Sequence, residues 1–431
     1  MRAMPRDYQE VGIDKIYRSL KRTGAALDMS DMGTGKTFKA LFVAKKADIP
    51  VVVICPVATI PAWEEAARNV GVSVRLLASY HKAIRGVDQI KRGRGTKRKT
   101  YKIEYPQNTL FIFDEVHNCR DHKTWSSHLL EAVTDHQYPV LMMSATPFEN
   151  PTQFRAIGHA LGTVHRTKFY HWCLSEGRCK SGTFGGMIYV GDSSYMKTLH
   201  KKIAPQTDRI RIAEVGDLPE FKMQTRLVEP ENRKALNEAY VELLNTLAED
   251  TEHAIVERLR QRQIIEHEKI QGNFALADEF IQAGQRILHF VSFTDTVEHL
   301  LELHRLNKQP FGVIDGKIAP AGSAKRAQYI EDYTAGKLSG LIVNYQSGGS
   351  GLNLQDIHGH LPTTGIMNLT DSATNFRQAT GRTFRDGTKS PCRFVITLAA
   401  GTVEADMNRN LNNKFKNLEA LVDGDLLPRK I

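Results

Sequence analysis

Cysteine is scarce and badly placed for cross-linking: Cys55, Cys119, Cys173, Cys179 and Cys392 are scattered along 431 positions, an odd number with no compact spacing. That excludes a disulfide-stapled scaffold and suits unpaired thiols in a reducing compartment. Long apolar runs are missing as well. No stretch approaches the roughly 18 residues that a membrane-spanning helix needs, and the opening M-R-A-M-P-R-D-Y-Q-E has no apolar signal core. The expected setting is the cytoplasm, beside the nucleoid or inside a host cell, with no membrane partner. There is no shorter internal repeat and no long low-complexity linker. Acidic residues are the minority, 48 Asp and Glu against 58 Lys and Arg, and the formal net charge of +10 favours a polyanionic partner. His159, His165, His171, Cys173 and Cys179 lie near one another but do not make two compact ligand pairs of zinc spacing, so they read as part of a helical connector.

What is present is a phosphate-cradling pattern followed by an acidic strand end. Residues 30–37 read S-D-M-G-T-G-K-T, in which Gly33 and Gly35 permit close backbone approach around Thr34. Amide N–H groups at the start of the next helix then face the β- and γ-phosphates of a nucleotide, and Lys36 adds positive charge. The Thr37 hydroxyl is expected to bind Mg²⁺. Residues 111–117 read F-I-F-D-E-V-H, an apolar strand whose Asp114 would hold the same ion and whose Glu115 would orient and deprotonate the attacking water. A D-E pair alone is a weak signal. With G-x-G-K-T upstream and S-A-T-P at 144–147, it points to nucleoside triphosphate hydrolysis.

The apolar pattern fits an α/β chain with two tandem domains. From Leu27 to Met143, short apolar runs such as Val51–Ile54 alternate with helical stretches such as Ala62–Asn69. A second series begins at Ile287, where I-L-H-F-V-S-F, F-G-V-I-D-G, G-L-I-V-N-Y and F-V-I-T-L read as four strands. The expected split is 1–215 and 216–431. Between the series, Leu236, Tyr240, Leu243, Leu244 and Leu247 recur at helical spacing, and Ile255 and Leu259 continue a charged helical insertion over about 230–285. The run K-R-G-R-G-T-K-R-K-T-Y-K, residues 91–102, lacks apolar periodicity and reads as an exposed loop, with Lys97, Arg98 and Lys99 able to contact phosphates. Near the end, R-Q-A-T-G-R-T-F-R-D-G spaces Gln378, Arg382 and Arg385 so that one helix would carry all three on one face. Closure of the two domains would bring such a guanidinium to the γ-phosphate as an arginine finger.

Taken in order, these motifs resemble those of the superfamily-two helicases, and within them the Swi/Snf-type translocases that act on double-stranded DNA. The resemblance spans nearly the whole chain and implies two RecA-like domains with parallel sheets that use ATP and Mg²⁺. R-D-Y-Q at 6–9 resembles the adenine-reading segment, which would place Arg6 and Gln9 at the base. I-C-P-V-A-T-I-P-A-W at 54–63 is similar to motif Ia, implying nucleic-acid contact at Pro56 and Trp63, and Ser79 and Tyr80 stand where motif Ib does. D-E-V-H is similar to motif II, and S-A-T-P-F-E-N at 144–150 to motif III. I-L-H-F-V-S-F-T-D-T is similar to motif IV. S-G-G-S-G-L-N-L at 347–354 matches the Swi/Snf motif V, implying Ser347, Gly348 and Asn353 at nucleic acid and Gly351 at the nucleotide. Q-A-x-x-R-x-x-R-x-G is similar to motif VI and implies catalytic roles for Gln378, Arg382 and Arg385.

Three departures place the chain at the edge of the subgroup: Val116 stands for a small residue, S-A-T for T-G-T, and Thr388 for the usual glutamine. The reading that follows is a minimal, monomeric motor of viral or bacterial kind that moves on double-stranded DNA, compatible with a protein partner such as a nuclease. Two alternatives use the same residues: a helicase that separates DNA or RNA strands, and a nucleotide-gated scaffold that binds DNA and recruits a partner.

Overall fold

The structure is a computed structural model and describes residues 3–93, 100–182, 186–216, 218–247, 252–321, 323–346, 352–369, 373–399 and 404–423. It divides into two compact units, Met1–Gly216 with Lys414–Pro428, and Asp217–Asn413 with Arg429–Ile431. Among the described residues no helix is long and apolar enough to cross a membrane.

In the first unit the strands are β1 (Ala25–Asp28), β2 (Val51–Cys55), β3 (Val74–Ser79), β4 (Ile90–Arg92), β5 (Tyr101–Ile103), β6 (Leu110–Asp114), β7 (Val140–Met143), β8 (Cys179–Ser181), β9 (Met187–Tyr189) and β10 (Thr207–Asp208). Six of them form a parallel sheet in the order β10-β1-β7-β6-β2-β3. Its central strands read A-A-L-D, V-L-M-M, L-F-I-F-D and V-V-V-I-C and are buried at every position, as a parallel sheet covered on both faces requires. On one face, helices Asp7–Thr23, Lys36–Ala47 and Ile60–Val70 contribute Ile13, Ile16, Leu41, Val43, Trp63 and Val70 to a core with Val53, Ile112 and Leu141. The basic run expected to be a loop has ordered flanks: β4 and β5 pair antiparallel, with Lys91 opposite Lys102. Ile90 and Ile103 pair across the strands and are buried, and on the exposed face the Glu104 carboxylate pairs with both Lys91 and Lys102, which offsets their repulsion.

The second unit holds β11 (Phe221–Val228), β12 (Arg286–Val291), β13 (Phe311–Ile314), β14 (Gly340–Asn344), β15 (Thr363–Asn368) and β16 (Cys392–Ala399). They form one parallel sheet in the order β11-β16-β15-β12-β14-β13. Helices Ile270–Gln282 and Thr294–Leu306 close one core with Phe280, Val297 and Leu300 against Ile287, Val313, Ile342 and Val395. Helices Arg233–Leu247 and Glu252–His267 precede them, and Leu236, Tyr240 and Ile265 pack with Ala399. The side chains of Leu243, Leu244, Leu247 and Ile255 lie outside the described residues.

Both sheets are α/β in the RecA-like manner, with parallel strands whose crossovers carry helices. All carboxyl ends in a sheet lie at one edge, so each unit gathers its strand-end loops there.

Candidate active site

Strand register sets the first unit's geometry. Asp28, Met143 and Asp114 end neighbouring strands at the same level, because Met143 pairs with Asp28 on one side and Asp114 on the other. The loop after β1 carries the glycines and Lys36, β6 delivers Asp114 and Glu115, and the turn after β7 delivers Ser144.

The loop turns through two left-handed glycines, Gly33 at φ 78° and Gly35 at φ 79°. At Gly35 a Cβ would also collide with the Gln9 amide. The following helix, Lys36–Ala47, starts with no side-chain cap and no acid in its first turn. Its leading N–H groups and the positive end of its dipole are thus available to an anion. Lys36 Nζ donates to the carbonyls of Ser30 (2.9 Å) and Asp31 (3.1 Å). Burial lowers its pKa, while Glu115, Asp28, Asp114 and Asp31 act the other way. This cation, hydrogen-bonded to loop carbonyls, stands where loop and acidic strand end converge. The Thr37 hydroxyl and Asp114 carboxylate supply hard oxygen donors, which fit Mg²⁺.

Burial, with Glu115 adjoining, pushes the Asp114 carboxyl up from 3.8 to about 6. Trp63 Nε1 donates to Asp114 Oδ2 at 2.9 Å, and Tyr80 OH donates to the Asp114 carbonyl at 2.9 Å. Glu115 is left-handed at φ 53°, a costly conformation for a residue with a side chain. It turns the chain out of the strand. Its Oε2 lies 3.4 Å from Ser144 Oγ and 3.2 Å from His117 Nδ1, and His117 Nδ1 is 3.1 Å from Ser144 Oγ. The candidate base is therefore held by a three-residue network.

Gln9 is buried beside the loop: Nε2 donates to the carbonyls of Thr34 (3.0 Å) and Gly35 (3.3 Å), and Oε1 accepts from Arg6 N–H (3.1 Å). The Arg6 side chain is exposed.

Beneath the loop sits a charged cluster that the motif reading did not identify. Lys39 Nζ contacts Asp28 Oδ2 (2.9 Å), Asp208 Oδ2 (2.5 Å) and Ser30 Oγ (2.8 Å), and Ser30 Oγ also accepts from Ile210 N–H (3.0 Å). Ser30, which departs from the glycine of the general loop pattern, thereby ties the loop to the edge strand. Arg209 reinforces it, with Nη1 on Asp31 Oδ1 (2.7 Å) and Nε on Asp423 Oδ1 (2.9 Å). The only signal for Lys39 was a lysine inside the apolar stretch F-K-A-L-F-V.

Two of the expected nucleic-acid contacts are corrected. Trp63 is 1% exposed with its N–H committed to Asp114, so its ring is core. Ser79 is buried, and its hydroxyl caps helix Tyr80–Arg85 by accepting from Lys82 N–H (3.3 Å). The Tyr80 hydroxyl serves the Asp114 backbone. Trp63 and Ser79 belong to the first unit's interior, whereas Tyr80 is half-buried. Pro56 is half-buried, and its carbonyl accepts from Thr59 N–H (3.0 Å) and Thr59 Oγ (2.9 Å). Lys97, Arg98, Lys99, Ser347, Gly348 and Gly351 lie outside the described residues.

In the second unit the expected continuous helix is also corrected. Helix Ala373–Thr380 carries the buried Gln378, but turns follow, so Arg382 and Arg385 are not on it. Side-chain hydroxyls and a guanidinium compete for the backbone groups a helix would use. Arg385 Nε and Nη2 donate to Gly381 O (3.1 and 2.6 Å), while Thr388 Oγ accepts from Arg385 N–H (3.1 Å) and donates to Thr383 O (2.9 Å). Thr388 thus builds the turn where the Swi/Snf pattern has glutamine. Burial, with Arg382 nearby, lowers the Arg385 pKa from 12.5 to about 9. Asn353 Oδ1 lies 3.5 Å from Arg385 Nη1, which joins the motif V segment to the arginine turn.

His159 Nε2 pairs with Asp135 at 2.8 Å, and Cys173 and Cys179 are buried free thiols. Among the described residues, the group spaced closely enough to hold a metal is instead His267, Asp295 and His299.

Two family descriptions match parts of this chain, and several known proteins are similar to it. Residues 2–149 match the family described as type III restriction enzyme, res subunit, and residues 272–387 match the helicase conserved C-terminal domain. An Acanthamoeba polyphaga mimivirus protein, provisionally described as an ATP-dependent RNA helicase, is 24% identical over 97% of this chain and 84% of its own length. A Caenorhabditis elegans homologue of the SWI/SNF-related, matrix-associated, actin-dependent regulator of chromatin subfamily A-like protein 1 is 25% identical over 41% of this chain and 27% of its own length. Human chromodomain-helicase-DNA-binding protein 1 is 20% identical over 95% of this chain but 26% of its own. The Sulfolobus solfataricus SWI2/SNF2 ATPase core, solved with double-stranded DNA, is 18% identical, covering 99% of this chain and 94% of that one at a TM-score of 0.40.

Proposed function

We propose that this chain, which belongs to the superfamily-two helicases and translocases, is a motor that couples ATP hydrolysis to movement along double-stranded DNA. The enzyme is an ATP hydrolase of the nucleic-acid-dependent kind. The observation that carries the site assignment is the common level of Asp28, Met143 and Asp114, which brings the phosphate loop, the acidic pair and Ser144 to one sheet edge.

In this reading the N–H groups of Gly33 to Thr37 and the Lys36 ammonium bind the β- and γ-phosphates, and Gln9 stands at the base. Thr37 and Asp114 would hold Mg²⁺, which when bound neutralises phosphate charge. Glu115, oriented by Ser144 and His117, takes the proton from the attacking water as it approaches the γ-phosphate. Arg382 and Arg385 of the second unit supply the cationic charge that stabilises the transition state, and cycles of domain closure and opening step the motor.

Nucleic acid would meet the turn Pro56–Thr59, the basic run 91–102 and the motif V segment around Asn353. Contacts to phosphates carry little base information, so binding is expected to be weakly sequence-specific and strongly salt-dependent. DNA is favoured because the human relative is named a DNA-binding helicase and the nematode relative a SWI/SNF-related regulator of chromatin, and the duplex form rests on the motif V resemblance at 347–354. In the same proposal the motor works as a cytoplasmic monomer, to which a nuclease-type partner can be added.

The relative matched over most of its own length favours a second reading, strand separation on RNA. ATP turnover measured with duplex DNA, single-stranded DNA and RNA, followed by triplex displacement and forked-strand release, decides between them. Stimulation by duplex DNA with triplex displacement supports translocation. Stimulation by RNA with release of a strand overturns it in favour of the second reading.

A further inference from the structure

One hydrogen bond reaches an ion-binding carboxylate from an element that carries neither the phosphate loop nor the acidic pair. Trp63 Nε1 donates to Asp114 Oδ2 at 2.9 Å across 51 positions of sequence, with the indole 1% exposed. Trp63 belongs to helix Ile60–Val70, which buries Trp63, Ala66, Ala67 and Val70 and follows directly on the half-exposed turn Pro56–Thr59.

An indole offers a single donor and no acceptor, so this bond accepts only one partner type and one orientation. The ring is locked by its packing against the sheet. The terminal torsion of a carboxylate is broad and soft, and at Asp114 the Glu115 backbone and the indole are the hydrogen-bonding groups that restrain it. Phenylalanine is the nearest apolar substitute for this fully buried ring: it keeps most of the packing and removes the N–H, so a packing cost and a lost hydrogen bond must be read separately.

We infer that Trp63 is a positioning residue for Asp114, and that helix Ile60–Val70 is the element through which nucleic acid seated at the Pro56–Thr59 turn reaches the ion-binding carboxylate. The first half needs only the nucleotide site. The second half rests on the proposed nucleic-acid contact at that turn. A shift or rotation of the helix would move the indole N–H and with it the carboxylate, so Asp114 would respond to occupancy of the turn without touching nucleic acid.

The test is Trp63→Phe in the full chain, with Trp63→Leu as a second variant. Binding of a fluorescent ADP analogue is followed by anisotropy as Mg²⁺ is titrated, the unfolding midpoint is recorded, and the ratio of turnover with and without duplex DNA is measured. Loss of a hydrogen bond to a charged acceptor predicts a half-saturating Mg²⁺ concentration raised about tenfold, with little change in nucleotide binding when Mg²⁺ is left out. It also predicts a smaller stimulation ratio in both variants. Unchanged Mg²⁺ dependence in folded Trp63→Phe protein overturns the positioning role, and a lowered unfolding midpoint with unchanged Mg²⁺ dependence identifies packing as its whole purpose. A shifted Mg²⁺ dependence with the parent's stimulation ratio overturns the coupling alone. If the parent itself is not stimulated by any nucleic acid, the functional reading and the coupling fail together, while the Mg²⁺ titration still decides the positioning role.

Discussion

Lys39 and Asp28 form an ion pair 2.9 Å long in which neither side chain reaches solvent. Asp208 joins the same ammonium at 2.5 Å, and Ser30 accepts from it in the phosphate loop. Two carboxylates share one cation, so removing the cation leaves two buried carboxylates without their ion-pair partner. Lys39→Met is expected to cost about 3–5 kcal/mol of stability, read by urea unfolding, and adding Asp208→Asn should recover part of it. A Lys39→Met protein as stable as the parent would show that the cluster contributes nothing to holding the loop.

The second unit hides a pair of histidines whose protonation opposes folding. His304 Nδ1 lies 2.6 Å from Gln309 Oε1, and Gln309 Nε2 donates to Asp278 Oδ1 at 2.7 Å, so the network makes His304 Nε2 the acceptor for His289 Nε2 at 3.1 Å. Burial lowers the pKa of His304 from 6.5 to about 4 and that of His289 well below 6.5, with each ring neutral in the fold. The unfolded chain therefore binds more protons at mildly acidic pH. The contribution is complete above about pH 6.5 and is lost as pH falls from there toward the folded values, by up to about 1.4 kcal/mol per pH unit for each ring. Urea unfolding at about pH 7.5 and about pH 5 should show this loss, and His304→Asn should flatten it. An unaltered slope in His304→Asn would place the acid sensitivity elsewhere.

Arg385 is held by the Gly381 carbonyl and carries its own turn through Thr388. Arg385→Ala is expected to lower stimulated turnover roughly a thousandfold while nucleotide affinity changes only severalfold. Lysine should restore little, because it lacks the planar fork that reaches a phosphate and the turn together. The unfolding midpoint of each variant separates loss of the turn from loss of catalysis. Full turnover in a folded Arg385→Ala protein would remove the arginine from the hydrolytic step.

Much of this was legible because parallel sheets write themselves as unbroken apolar runs. V-V-V-I-C and L-F-I-F-D announced β2 and β6, whereas T-T-G-I-M-N and F-K-M-Q-T-R-L-V did not announce β15 and β11. β11 is an edge strand with mostly solvent-reached side chains, and β15 carries Gly365 at its centre, where a Cβ would meet the Phe394 ring. In the candidate site, the motif letters located the loop and the acidic pair. Which way neighbouring side chains pointed was not legible. Trp63 and Tyr80 follow strands whose ends face both the sheet edge and the interior, and only the packed register shows them turned toward Asp114. The helix expected through Arg385 failed for a different reason. Spacing describes a helix only if nothing else claims its carbonyls, and Arg385 itself claims that of Gly381.

The most direct test of the hydrolytic assignment is ATP turnover by the purified chain and by Glu115→Gln, each measured with and without duplex DNA alongside nucleotide binding. Removal of the general base should lower stimulated turnover by roughly 10²–10⁴-fold while nucleotide still binds. Full DNA-stimulated turnover in Glu115→Gln protein would contradict the account.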